Sequence, residues 1–198
     1  MDPVFTPPVR DDLAGTVAYG APQLDVPARL NVNENPFPLP PHVAEAMGAA
    51  VADAAAGLNR YPDRDADALR AAPADYVARE SGVRVPIEQV WAANGSNEVM
   101  HHLFLAFGGP GRLAITFDPT YSMYPEYARD TFTGYEAFPR LPDHGIDVAR
   151  AIEVIGSRRP SIVVLTSPNN PTGTALPAPD LRAIASAASR FTSTMVSR

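Results

Sequence analysis

No cysteine and no lysine occur in this chain; every one of its 16 basic residues is arginine. Without cysteine there are no disulfides and no thiolate zinc sites, which suits a reducing compartment. Without lysine, the α-amino group of Met1 is the sole primary amine, and arginine cannot replace it because its guanidinium stays protonated. Richness in Ala, Arg, Pro and Gly fits a GC-rich gene, in which lysine codons are scarce. Also missing is any apolar run near the ~20 residues needed to span a bilayer. Met1 to Arg10 has no apolar segment of the signal-peptide kind. Basic clusters are lacking as well, and the net charge is -6, so neither a nucleic-acid nor a membrane partner is expected. These absences predict a cytoplasmic protein.

What is present reads as α/β. The chain has 198 residues, 45% of them hydrophobic, enough for one domain of ordinary core size or for part of a larger one. The first 41 residues hold nine of the 22 prolines; proline fixes φ and removes a donor, so residues 1–41 are expected to form an extended arm. His42 to Ala56 is Ala-rich and helical in pattern, with Gly57 as its C-cap. A second helix is expected around Asp65 to Glu80, kinked or delayed by Pro73. After Gly82 the rhythm changes to strand (Val90 to Ala93), turn (Asn94 to Asn97) and helix (Val99 to Phe107). Strands are then expected at Leu113 to Phe117, Gly134 to Phe138 and Ser161 to Thr166, and helices at Tyr124 to Asp130 and Asp147 to Ile155. The continuous β-branched run SIVVLT has the character of a parallel strand covered on both faces.

Three loops follow such strands, where open α/β sheets place ligands. Asn94-Gly95-Ser96-Asn97-Glu98 opens a helix whose free N–H groups and macrodipole favour a phosphate; on these residues alone, Ser96 or Asn97 serving merely as a helix cap is the favoured reading. In Asp118-Pro119-Thr120-Tyr121-Ser122-Met123-Tyr124, the Tyr121 ring either stacks on a planar cofactor or packs half-buried. Ser167-Pro168-Asn169-Asn170-Pro171-Thr172-Gly173 is more specific: two X-Pro bonds, each a candidate for cis, flank paired asparagines and hold one of them toward the sheet's mouth.

The string SPNNPTG resembles the signature of fold-type-I pyridoxal-phosphate aminotransferases. ANGSNE and PTYSMYPEYA, in this order, narrow the likeness. YGAPQLDVP, LNVNENPFP and GLNRYPD resemble the histidinol-phosphate aminotransferases in particular. The resemblance covers about residues 10–188, the N-terminal half of such an enzyme: an arm (1–41) and part of the large sheet domain (42–188). It implies pyridoxal 5'-phosphate as cofactor, with Ser96 and Asn97 at its phosphate, Glu98 beside them among the cofactor-binding residues, Tyr121 on its ring and Asn170 on its phenolic oxygen. Tyr61 would reach the phosphate of a neighbouring subunit, implying a homodimer. Tyr19, Glu34 and Asn35 would belong to the arm that closes over the substrate. The implied reaction transfers an amino group between histidinol phosphate and 2-oxoglutarate or glutamate.

That chemistry needs a lysine as covalent anchor and as proton-moving base, and an aspartate at the pyridine nitrogen. Neither is found at the family's positions, so no catalytic residue is assigned and the chain alone is expected to be inactive. After Ala188 the family continues into an apolar strand, whereas residues 189–198 read as a divergent polar tail of the kind a frameshift or truncated gene would leave. Strands such as Ile162 to Leu165 are then expected beside an unpaired edge. Rival readings are a catalytically dead remnant that binds cofactor or dimerises, a related aromatic aminotransferase, or a phosphothreonine decarboxylase of the same fold. His101 and His102 are adjacent on a helix, about 100° apart, and do not form a metal pair. Gly108-Gly109-Pro110-Gly111 ends a helix and is no dinucleotide fingerprint.

Overall fold

A computed structural model describes residues 8–17, 20, 22–190 and 194–197. The chain divides into two compact units, Met1–Pro62 and Asp63–Arg198. In the first, a short 3-10 turn at Asp11–Leu13 precedes extended chain and one helix, α1 (Pro41–Ala55). Proline suits the start of α1 because its missing N–H would have no helical acceptor there. The helix stops one residue short of its expected end, and Ala56 rather than Gly57 takes the C-cap, in right-handed helical conformation. Gly57 N–H still bonds the Ala54 carbonyl at 3.0 Å, so the last turn tightens without a left-handed residue.

The second unit begins with α2 (Asp67–Ser81), which is continuous across Pro73. The helix starts at Asp67, two residues later than the expected Asp65, and it carries Pro73 in its interior with both Pro73 and Leu69, whose carbonyl the proline leaves without its helical donor, exposed to water. Gly82 ends α2 in a left-handed conformation and donates to the Ala78 carbonyl at 3.0 Å.

Val90 to Ala93 is not a strand. A 3-10 turn at Ile87–Gln89 leads into extended chain with no ladder partner among the described residues, and a strand exists only through such a partner. Nor is Asn94 to Asn97 wholly a turn, since α3 (Gly95–Phe107) begins inside it. The elements that follow are β1 (Leu113–Asp118), α4 (Tyr124–Asp130), β2 (Gly134–Pro139), α5 (Val148–Arg158), β3 (Ile162–Leu165), α6 (Ala178–Ser189) and β4 (Thr194–Ser197).

These strands form one parallel sheet in the order β2-β1-β3-β4. β3 is therefore interior, and the unpaired edge expected beside it does not exist: Ile162 pairs with Thr194 and Leu165 with Ser197. That partner lies inside the stretch read as a polar tail. Ladder bonds come from the backbone, so β4 needs no continuous apolar run.

Alternation along β1 and β3 sorts the core into two layers. Ile115, Phe117, Val163 and Leu165 pack with Ala151, Val154 and Ile155 of α5 and Ile184 and Ala188 of α6. Ala114, Ile162 and Val164 pack on the other face with Met100 and Phe104 of α3 and Tyr124, Tyr127 and Ala128 of α4. Buried Thr116 donates its hydroxyl to the Val164 carbonyl at 3.2 Å. Among the described residues no helix is long and apolar enough to cross a membrane.

Candidate functional site

The sheet presents three loops at the C-terminal ends of its strands and one helix N-terminus. At α3, Gly95 takes φ +73°, with open space where a side chain would begin. Glycine adopts this left-handed turn without steric cost, and it lets the chain swing directly into the helix. The Asn94 N–H is held by the Glu98 carboxylate, a capping bond from the first turn back to the residue before the helix. Glu98 also lies 3.9 Å from His102 Nε2, and His102 Nδ1 accepts from the Trp91 indole at 3.3 Å. The Glu98 side chain thus organises its own turn. Ser96 and Asn97 are exposed at that turn, and their N–H groups have no acceptor within the helix.

Asn97 connects α3 to the loop after β1. Its Oδ1 accepts from the Tyr127 hydroxyl at 2.7 Å and from the Tyr121 hydroxyl at 3.4 Å. Tyr121 is half-buried and meets Tyr124 edge-on, with ring centroids 5.8 Å apart. Tyr124 is buried and shares a 3.0 Å hydrogen bond with Thr166 at the end of β3. Tyr124 and Tyr127 lie on α4, and Tyr121 stands in the loop that leads into it; sequence reasoning singled out Tyr121 and missed the roles of Tyr124 and Tyr127.

The loop after β3 separates its asparagines. Asn170 is exposed, while Asn169 is 2% exposed. Asn169 donates to the Pro119 carbonyl at 3.0 Å and to Thr172 Oγ1 at 2.8 Å, and accepts from Arg140 at 3.0 Å and Thr120 at 3.3 Å. Ser167-Pro168 and Asn170-Pro171 are both cis, as is Asp118-Pro119, which the sequence did not single out. Gly173, at φ +71°, closes the turn with its N–H on the Asn169 carbonyl at 2.7 Å.

An open groove of about 770 Å³ runs past Tyr121 and Pro171 toward Tyr135, Phe138 and Pro139. Burial, reinforced by the Asp118 charge and by Tyr124, pushes the Tyr135 hydroxyl well above the usual tyrosine range. Burial also lowers the Arg140 guanidinium, an effect that Asp118 and then Tyr124 oppose.

In the first unit, Tyr61 is fully exposed, immediately after a turn closed by the Arg60 N–H to the Gly57 carbonyl at 3.0 Å. Glu34 and Asn35 are exposed, and Asn35 Oδ1 accepts from the Phe37 N–H at 3.0 Å. Tyr19 lies outside the described residues. The second unit thus brings Asn97 and Tyr121 together directly and ties the Asn170 loop to the Tyr121 loop through Asn169. Amides suited to a phosphate, an aromatic face and an exposed amide side chain form a donor set that fits pyridoxal phosphate.

The family model for aminotransferase class I and II matches residues 27–196. A histidinol-phosphate aminotransferase of Bifidobacterium longum is 56% identical over 180 residues, 91% of this chain and 47% of that protein. Another from Mycolicibacterium smegmatis is 50% identical over 177 residues, 89% of this chain and 81% of that protein. Among solved structures, an aspartate aminotransferase from Thermus thermophilus with maleate superposes at TM-score 0.74 and 31% identity, covering 85% of this chain and 44% of that one. The chain spans about half the length of the first curated relatives it matches. With the family model over most of its length and the histidinol-phosphate enzymes among its relatives, the chain belongs to the class I and II aminotransferase family.

Proposed function

We propose that this chain supplies one wall of a pyridoxal-phosphate site that serves transamination of histidinol phosphate, with a 2-oxo acid such as 2-oxoglutarate as amino acceptor. The observation that carries the reading is the link from the α3 N-terminus through Asn97 to Tyr121, in a chain whose histidinol-phosphate relatives are half identical to it or more. Ser96 and Asn97 hold the phosphate with first-turn N–H groups, where the helix dipole adds to hydrogen bonding. Tyr121 covers one face of the pyridine ring. The Asn170 amide donates to the phenolic oxygen and favours its anionic form. When bound, pyridoxal phosphate supplies an electron sink for the substrate carbon. Tyr61, fully exposed in this chain, reaches the phosphate bound by a second copy, which makes the working unit a homodimer. Tyr19, Glu34 and Asn35 belong to the arm at residues 1–41 that closes over the substrate.

Catalysis requires a lysine, and this chain has none, so the chain by itself binds and orients without turning over. The test is a titration of pyridoxal phosphate against the chain and its Tyr121→Ala and Asn170→Ala variants. Binding weakens in both variants; identical binding by all three sinks the assignment.

A further inference from the structure

Asn169 lies at the meeting point of three loops and is 2% exposed. An asparagine amide offers two donor hydrogens and two acceptor lone pairs, and here all four are used. Both N–H bonds go to oxygens, the Pro119 carbonyl and Thr172 Oγ1, at 3.0 and 2.8 Å. Oδ1 receives the Arg140 guanidinium and the Thr120 hydroxyl, at 3.0 and 3.3 Å. Reversing the amide would set N–H against guanidinium and oxygen against carbonyl, so the network admits one orientation.

Arg140 completes the brace from the end of β2. Its other bonds run to the Phe117 carbonyl at 2.9 Å and the His144 carbonyl at 3.0 Å. All three of these acceptors are neutral oxygens, so the rigid fork of the guanidinium acts here as a geometric strut between strand ends. Thr120 precedes Tyr121 and Asn169 precedes Asn170. The Thr120–Asn169 bond therefore joins the residues immediately before the two proposed cofactor contacts.

We infer that Asn169, braced by Arg140 and Thr120, is a positioning residue: it locks the Tyr121 loop to the Asn170 loop so that both side chains meet pyridoxal phosphate in one arrangement. The inference rests on the cofactor reading above. Its physical content is preorganisation, in which contacts held in register before binding do not have to be ordered by the ligand.

The test is a double-substitution cycle read by equilibrium binding of pyridoxal phosphate to the chain, its variants first shown to unfold cooperatively. Asn169→Asp keeps the side-chain shape and replaces both donor hydrogens by an acceptor facing the Pro119 carbonyl. It raises Kd by about tenfold, the scale expected when two side chains have to be ordered on binding instead of before it. In an Asn170→Ala background the same substitution raises Kd by a clearly smaller factor, because one of the side chains it aims is already gone. If Asn169→Asp does not fold, Thr120→Val takes its place in the cycle, removing one bond of the network. Unchanged Kd in the folded variant overturns the inference, as does the full factor persisting in the Asn170→Ala background. No binding by the unsubstituted chain, or Asn170→Ala binding as well as it does, defeats the cofactor reading and this inference together.

Discussion

Tyr127 and Tyr135 sit a short way apart in sequence and do different physical work. Tyr127 is buried, and its hydroxyl supplies the shorter of the two bonds to Asn97. Tyr127→Phe removes it and leaves Asn97 with the longer bond from Tyr121. Thermal unfolding should register a loss of about 1 kcal/mol, the net worth of one such bond, and cofactor binding should weaken with it. Tyr135 is instead a titration handle, since burial raises its pKa. In the unfolded chain it ionises near pH ~10, whereas the folded chain keeps the proton. The unfolded state therefore loses its proton first, so this share of stability is present below ~10 and falls away as pH rises beyond it. Urea midpoints should decline between about pH 9 and pH 11 in the parent chain and decline less in Tyr135→Phe. Neither role was legible in the sequence. Both tyrosines read only as aromatic residues in amphipathic or strand patterns, and partner identity comes from segments far along the chain.

At the scale of elements, periodicity located most of the second unit. β1, α4, β2, α5 and β3 fall within a few residues of the predicted runs, because burial on both faces demands the apolar continuity seen in SIVVLT and the helical spacing of α5. Two strand misses share a cause. Val90 to Ala93 has strand composition but no ladder partner among the described residues, and β4 lies in a stretch that read as polar yet has a partner in β3. Strand identity is a property of pairs, and composition reports only one member. Two predictions belong here. Pro73→Ala should stabilise α2 by roughly 1–3 kcal/mol, measured by urea unfolding, because it restores the N–H that the helix interior lacks. Gly95→Ala should cost about 1 kcal/mol or more, because φ +73° is unfavourable for any side chain. The α3 N-terminus it disturbs is the proposed phosphate site, so cofactor binding should fall as well.

For the molecule as a whole, the absent lysine makes the sharpest statement. Incubation with pyridoxal phosphate and borohydride should leave a reduced adduct at the α-amino group of Met1 and nowhere else, as peptide mapping will reveal. Turnover of histidinol phosphate by the pure 198-residue chain would overturn the proposed division of labour; turnover on supplying the remaining half of a relative supports it. The sequence by itself determined the family, the α/β class and the absence of lysine from the 198 residues. Those depend on residue identities and on short strings such as SPNNPTG, which carry their meaning locally. Only the tertiary structure decided which of two adjacent asparagines is buried, which tyrosines hold Asn97, and that β3 lies inside the sheet. Each of these depends on contacts between segments tens of residues apart, where hydrogen-bond saturation and strand pairing, rather than local preference, select the outcome.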